Sequence, residues 1–248
     1  MRIAIFSDVH SNIDALEVVL RAYEDLDIDD YVCLGDVVGY GGEPQACCEL
    51  VRPLVSTCIL GNHDAAVSGR MDYGYYYEAA RNALDHHASV VSATNLAWLR
   101  SLPYIERHER WTYSHGSPVN VEAFDYVFNP VQAAALLLHW GELSPVTFIG
   151  HSHLTKSFAL GGPGTSPRIE EVHGPVMRFD PERRYIVTVG SVGQPRDNDA
   201  RACFTVFDTD AMTLEFHRAD YDIVRAARRI FACDRLVPDF GKRLFLGI

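Results

Sequence analysis

The chain has 248 residues, 48% hydrophobic and 22% charged, enough for one sizeable core and for a single domain over 1–248. Its formal net charge of −11 works against broad binding of nucleic-acid backbones and anionic membranes, so a phosphate ligand would need a strong local positive source. No apolar run nears the roughly 18 residues of a membrane span, and six cysteines without a CxxC pair exclude a thiolate metal site and read as reduced core residues.

The opening "MRIAIFSDVH" is a short apolar run broken by Asp8, read as a buried strand and not as a secretory signal, which places the chain in the cytoplasm. "SNIDALEVVLRAYEDL" follows with apolar residues at helical spacing, capped by Ser11 or Asn12. "DYVCLGD" is a second strand, "EPQACCELVRPL" a helix opened by Pro44, and "VSTCILGN" a third strand. Strand, helix, strand, helix, strand predicts a parallel sheet covered by helices. Residues 74–101 predict two Ala-rich helices, with the Tyr-rich 73–77 favoured as core or interface over a cover for the cleft or a base-stacking surface, and His86 and His87 on a solvated face. "RWTYSHGSP" and "PVTFIGHSH" are strands entering polar turns, with the helix "NPVQAAALLLHW" between them. From Lys156 onward short β runs predict a more antiparallel second sheet, with 161–167 as a hairpin loop. "YDIVRAARRIFACD" is a closing helix, and the apolar tail "DFGKRLFLGI" docks on the body or on a second subunit, leaving a homo-oligomer open.

Five of these strands end in ligand-type residues: Asp8 and His10; Gly35-Asp36; Gly61-Asn62-His63-Asp64; His115-Gly116; and Gly150-His151-Ser152-His153. Ligands bind at the carboxyl ends of strands in open α/β sheets, so these groups can meet in one cleft. Residues two apart in extended chain face the same way, so Asp8 and His10 can grip one ion, as can His151 and His153. Carboxylate, imidazole and amide oxygen without thiolate suit Mn²⁺, Fe or Zn²⁺ better than Ca²⁺. Seven candidate ligands (Asp8, His10, Asp36, Asn62, His115, His151 and His153) exceed one tetrahedral ion and suit two ions sharing a carboxylate. Two divalent cations outweigh Asp8, Asp36 and a bridging hydroxide, giving the local positive source that the global charge lacks.

In this order, "DVH", "GD", "GNHD", "HG" and "GHSH" resemble the motif set of the calcineurin-like metallophosphoesterase superfamily. "GSVGQPRD" at 190–197 and "YDIVRAARRI" resemble its small prokaryotic phosphodiesterase-like branch. The resemblance implies a four-layer αββα sandwich of two mixed β-sheets. It implies one metal on Asp8, His10, Asp36 and His153, and a second on Asp36, Asn62, His115 and His151, with Asp36 bridging. Mn²⁺ leads as the expected ion, with Fe, Zn²⁺, Ni²⁺ or Co²⁺ compatible. His63 would protonate the leaving oxygen after in-line attack by a metal-bound hydroxide, and Asp64 would brace the site or cap the next helix.

The sequence departs from the serine/threonine phosphatases of the superfamily, which continue the second motif as GDxVDRG. Here "GDVVGYG" puts Gly39 where the acidic partner of the catalytic His stands and Tyr40 where a phosphate-binding Arg stands. Protein-phosphatase activity like theirs is therefore not expected, and His63 lacks an evident orienting carboxylate. The substrate class expected is a small phosphorylated molecule, as diester or monoester. Arg196 could reach a phosphate oxygen, but the favoured expectation is an ion pair inside a turn that braces the metal loops. The rival functional class is a catalytically weak metal-binding scaffold on the same fold. A dimetal nuclease is disfavoured by the acidic charge.

Overall fold

The computed structural model describes residues 1–162 and 168–248. In chain order the first segment runs β1 (Arg2–Phe6), α1 (Ile13–Glu24), β2 (Asp30–Cys33), α2 (Pro44–Leu54), β3 (Thr57–Cys58) and α3 (Asn62–Val67). Next come α4 (Glu78–Val90), α5 (Ala93–Ser101), β4 (Ile105–Arg107), β5 (Trp111–Ser114), α6 (Pro130–Ala135) and β6 (Val146–Ile149). The remainder is β7 (Ser157–Leu160), β8 (Ile169–Val172), β9 (Val176–Arg178), β10 (Arg184–Thr188), β11 (Ala202–Asp208), β12 (Thr213–Ala219), α7 (Ile223–Phe231) and α8 (Pro238–Leu244).

Two mixed six-stranded sheets result, ordered β3-β2-β1-β11-β12-β9 and β4-β5-β6-β10-β7-β8. In the first, β1, β2 and β3 are parallel, as the strand-helix alternation predicts, and β11 joins β1 antiparallel. In the second, β5, β6 and β10 are parallel and the rest antiparallel. Strand side chains alternate between faces, which sorts the core into three layers. Ile3, Ile5, Val32 and Leu34 of the first sheet meet Tyr113, Phe148 and Val187 of the second, so the sheets pack face to face. Ala4, Phe6 and Cys33 point the other way, onto Leu16, Val19 and Tyr23 of α1 and Cys47, Cys48 and Val51 of α2. On the far face of the second sheet Ile149, Phe158 and Ile186 pack on Ala133 of α6 and on Leu136 beyond it. The αββα sandwich is thus the arrangement that buries both faces of both sheets.

Several expectations change in detail. The helix over 129–140 shortens to α6 and passes into a 3₁₀ segment, Leu136–Glu142. The tail forms α8, whose Phe240 and Leu244 are buried in one cluster with Ile230 of α7. Asp14 of α1, fully buried, is paired with Arg225 and Arg229, so a buried carboxylate ties the closing helix to the first. The 161–167 loop joins β7 to β8, which pair antiparallel, but its residues 163–167 lie outside the described ones. Five cysteines are buried and Cys233 half-buried, all free. Among the described residues no helix is long and apolar enough to cross a membrane.

Candidate active site

The strand ladder between β1 and β2 does not stop where the strands stop. Asp8 N–H donates to the Gly35 carbonyl at 2.9 Å, His10 N–H to Asp36 at 2.9 Å, and Ser11 N–H to Val37 at 3.0 Å. This carries both ligand loops side by side past the sheet edge. Across the sandwich, Gly150 N–H donates to the His115 carbonyl at 2.9 Å, joining the loops of the second sheet in the same way. The seven ligand-type residues and His63 all come together here, each buried.

The local backbone differs from the extended chain expected. Asp8, His10, Asp36, His151 and His153 all have φ between 47° and 64°, in the left-handed region that non-glycine residues seldom occupy. Such conformations concentrate at sites where the surroundings over-determine them. One consequence departs from the extended-spacing reading and agrees with the sets that the resemblance implies: His151 and His153 fall in different clusters. His153 clusters with Asp8 and His10, whereas His151 clusters with Asp36 and His115, each set holding its donor atoms within 4.8 Å. Asp36 Oδ2 stands 3.6 Å from His10 Nε2 and 3.3 Å from His115 Nε2, between the two groups. Asn62 Oδ1 lies 3.1 Å from His115 Nε2.

Main-chain carbonyls fix the imidazole tautomers. His10 Nδ1 meets the Val38 carbonyl at 3.1 Å, His115 Nδ1 the Leu34 carbonyl at 2.8 Å, and His153 Nδ1 the Gln194 carbonyl at 2.6 Å. A carbonyl only accepts, so each Nδ1 carries the proton. His10 Nε2 and His153 Nε2, left as lone pairs, face each other at 3.0 Å. Burial holds both rings well below the usual histidine range, hence neutral. Two acceptors at that distance repel unless a cation lies between or beside them, and metal-bound histidines characteristically commit the other ring nitrogen to a hydrogen bond. The donor set therefore fits divalent metal ions.

The charges agree. Burial pushes the Asp8 carboxyl up to about 7. Burial would raise Asp36 too, but the imidazoles of His115, His63 and His10 more than reverse it and hold it well below the carboxylate range. For His115, burial opposes the proton, yet Asp36 and Asp8 prevail and push it up to about 10, so this cluster attracts positive charge.

The profile of the calcineurin-like phosphoesterases matches residues 1–179. The chain belongs to the calcineurin-like phosphoesterase family. It is 34% identical, over 99% of its length and 98% of the relative's, to "Uncharacterized protein MJ0912" of Methanocaldococcus jannaschii. A metallophosphoesterase from Sphaerobacter thermophilus superposes with a TM-score of 0.82 at 35% identity, covering 100% of this chain and 99% of that one. A hypothetical protein, PH1004, from Pyrococcus horikoshii OT3 shares the fold with a TM-score of 0.78 at 19% identity, over 100% and 98% of the two chains.

Within this phosphoesterase, the third motif opens α3. A Cβ on Gly61 would lie 2.1 Å from Asp36 Oδ1, so only glycine lets the loop pass over the carboxylate. His63 N–H, in the first turn of α3, donates to that oxygen at 2.8 Å. Asp64 both braces and caps: it accepts from Val37 and Val38 N–H at 3.3 and 3.1 Å and from Gly61 N–H at 3.3 Å. The second and third motifs are thereby tied together.

Among the described residues no carboxylate hydrogen-bonds to the His63 ring, in keeping with Gly39. Its Nδ1 is buried without a hydrogen bond, and burial pushes its pKa down to about 4, so the ring is neutral at pH 7. Ring packing orients it instead, with His10 edge-on at 4.9 Å and Tyr40 at 4.5 Å. Gly39, at φ 104°, lies so close that a Cβ there would sit 2.3 Å from His63 Nδ1. An acidic residue at this position has no room.

The Tyr-rich segment serves both core and cleft: Tyr73 and Tyr76 pack against the first core cluster, while Tyr75, Tyr76 and Tyr77 reach the cleft. Tyr75, Tyr76 and Tyr77 line it opposite Phe124, Tyr126 and Arg196 in a space of about 480 Å³. Tyr76 OH meets Asn62 Nδ2 at 2.8 Å. This turns the amide oxygen toward the ligand cluster. Tyr126 stacks on His151 at 3.9 Å and 14°. The turn 190–197 braces the ligand loops as expected, with Ser191 Oγ and Gly193 N–H on the Asp8 carbonyl at 2.8 and 2.9 Å. The expected ion pair, however, belongs to its neighbour: Asp197 pairs with Arg218, while Arg196 has no carboxylate partner among the described residues.

His87 corrects another expectation. It is fully buried, with Nδ1 accepting from Gly39 N–H at 3.0 Å and Nε2 donating to the Gly41 carbonyl at 2.9 Å. One tautomer satisfies both bonds and clamps the loop that carries Tyr40. Burial pushes its pKa down to about 3. The unfolded chain therefore binds a proton that the folded chain refuses between pH 6.5 and 3, and stability falls with pH across that window. We expect this residue alone to cost about 2 kcal/mol between pH 7 and pH 5. Chemical denaturation of wild type and His87→Gln at both pH values checks it: the variant should be less stable at pH 7 and lose less on acidification. Equal slopes would refute the assignment.

Proposed function

We propose that this phosphoesterase is a dinuclear metal-dependent hydrolase of small phosphorylated molecules, acting on a phosphodiester or phosphomonoester by in-line attack of water on phosphorus. The observation that carries the reading is the convergence of His10 Nε2 and His153 Nε2, 3.0 Å apart with both Nδ1 atoms committed to carbonyls, beside Asp36 and the second cluster. Asp8, His10, Asp36 and His153 would hold one ion, and Asp36, Asn62, His115 and His151 the other, with Asp36 shared. Bound ions supply Lewis-acid charge for phosphoryl oxygens and lower the pKa of a water to about 7.

The chain's own residues do the rest. The carbonyls of Val38, Leu34 and Gln194 hold the Nδ1 of each imidazole and leave its Nε2 aimed inward. Tyr76 keeps the Asn62 oxygen, not its nitrogen, toward the cluster. His63, buried at the cleft wall and fixed by its ring neighbours, is neutral before substrate enters; it would take up a proton with the anionic substrate and pass it from the imidazolium to the departing oxygen as the ester bond breaks, returning to the neutral ring. Gly39 and Tyr40 give no support for a protein-phosphatase type of substrate grip. Among the ions these donors accept, Mn²⁺ is our first choice, since mixed carboxylate, imidazole and amide oxygens around an open centre suit it.

The test is hydrolysis of bis-p-nitrophenyl phosphate by metal-stripped protein reloaded with Mn²⁺, Zn²⁺, Co²⁺ or Ni²⁺. Activity should appear only after reloading and reach its maximum near two equivalents. A metal-loaded protein inert toward diesters and monoesters alike would instead support a scaffold.

A further inference from the structure

Among the described residues, Arg196 is the only Arg or Lys that lines the cleft. Its main chain is fixed to the ligand loops, since Arg196 N–H donates to the His153 carbonyl at 3.2 Å. Its side chain is not spent. The guanidinium has no carboxylate partner among the described residues, and it touches Gln194 Oε1 at 3.2 Å while its Nε is buried with no partner. It lies against the hydroxyls of Tyr40 and Tyr126 and over the Tyr40 ring, 5.8 Å from the centroid. The next residue, Asp197, is engaged by Arg218 and by Thr155 Oγ1, so the turn is held without help from the Arg196 side chain.

A planar cation with free donors, positioned by backbone beside a metal-type cluster, matches an oxyanion. We propose that Arg196 is the substrate-anchoring residue of the cleft, gripping a non-bridging oxygen of the phosphoryl group whose ester bond is hydrolysed beside the Asp/His clusters. Tyr40 occupies the second-motif position where the protein phosphatases of the superfamily carry their phosphate-binding Arg. Here that ring serves as a floor for a guanidinium arriving from the 190–197 turn. The inference rests on the phosphoesterase reading, and it makes Arg196 a binding residue with no part in proton transfer.

The experiment uses the Mn²⁺-loaded full chain. Kinetics on bis-p-nitrophenyl phosphate, inhibition by inorganic phosphate, and calorimetric binding of inorganic phosphate are measured for wild type, Arg196→Gln and Arg196→Lys, with metal content by elemental analysis. Losing one charge-assisted contact should raise KM and weaken phosphate about 10- to 100-fold in Arg196→Gln. Metal content should be unchanged and kcat altered much less, and Arg196→Lys should fall between, since it keeps the charge but not the fork. Unchanged phosphate affinity in Arg196→Gln would overturn the proposal. So would loss of metal or a fall in kcat at constant KM, either of which would make Arg196 a brace. If wild type hydrolyses no ester yet binds phosphate in an Arg196-dependent way, the anchoring role stands and the phosphoesterase reading fails. Absence of phosphate binding by the loaded wild type would sink the anchor.

Discussion

Asp36→Asn is expected to abolish the paired centre. The substitution preserves shape and can keep the hydrogen bond from His63 N–H, now 2.8 Å from Oδ1. It removes the charge that lies between His10 Nε2 and His115 Nε2, and it can turn an amide N–H₂ toward nitrogens that need a cation. A shared carboxylate is the least replaceable ligand of such a pair, because it neutralises charge for both ions at once. Metal content should fall from about two equivalents to one or fewer, with kcat/KM reduced at least about 10²- to 10³-fold. Ligand linkage gives a second readout. An ion at 100 times its Kd stabilises the fold by about 2.7 kcal/mol, so the rise in Tm on adding Mn²⁺ should shrink sharply in the variant. A variant with two ions and wild-type rate would refute the shared-carboxylate assignment.

His63→Ala should separate chemistry from metal binding. The ring is buried and lines the cleft, yet it is held by neighbouring rings instead of a carboxylate. If it supplies the proton to the leaving oxygen, its removal should cost about 10²- to 10⁴-fold on an alkyl ester. A p-nitrophenyl ester, whose phenoxide departs unaided, should lose much less. Metal content should stay near wild type in both assays. Equal losses with both leaving groups would show that His63 positions the phosphoryl group and does not protonate. Loss of metal would make it a ligand, which its placement within 4.8 Å of donor atoms of His10 and Asp36 makes a real alternative outcome.

Local pattern carried most of the first half. The strand-helix alternation through β3 needs only neighbouring residues to be read, and the parallel order β1-β2-β3 follows from it. The ligand residues were equally legible because each follows an apolar run, and strand ends of an α/β sheet share one edge. Asp8 and His10 do cluster, but through left-handed backbone and not through the extended spacing the sequence suggested. Extended spacing would also have joined His151 to His153, but left-handed φ values aim those rings at different clusters.

The sequence by itself determined the topology of the parallel strands, the donor types and that position 39 offers His63 no acidic partner. Only the tertiary structure decided which donor atoms cluster, which tautomer each imidazole holds, and that His87, Tyr76, Tyr126 and Arg196 lie at the site. The physical reason is that those features depend on main-chain carbonyls and on non-local packing. The carbonyls of Val38, Leu34 and Gln194 leave no trace in residue type, since every residue has one. His87 lies on a helix whose period tells which face is buried only once the 39–41 loop is placed against it.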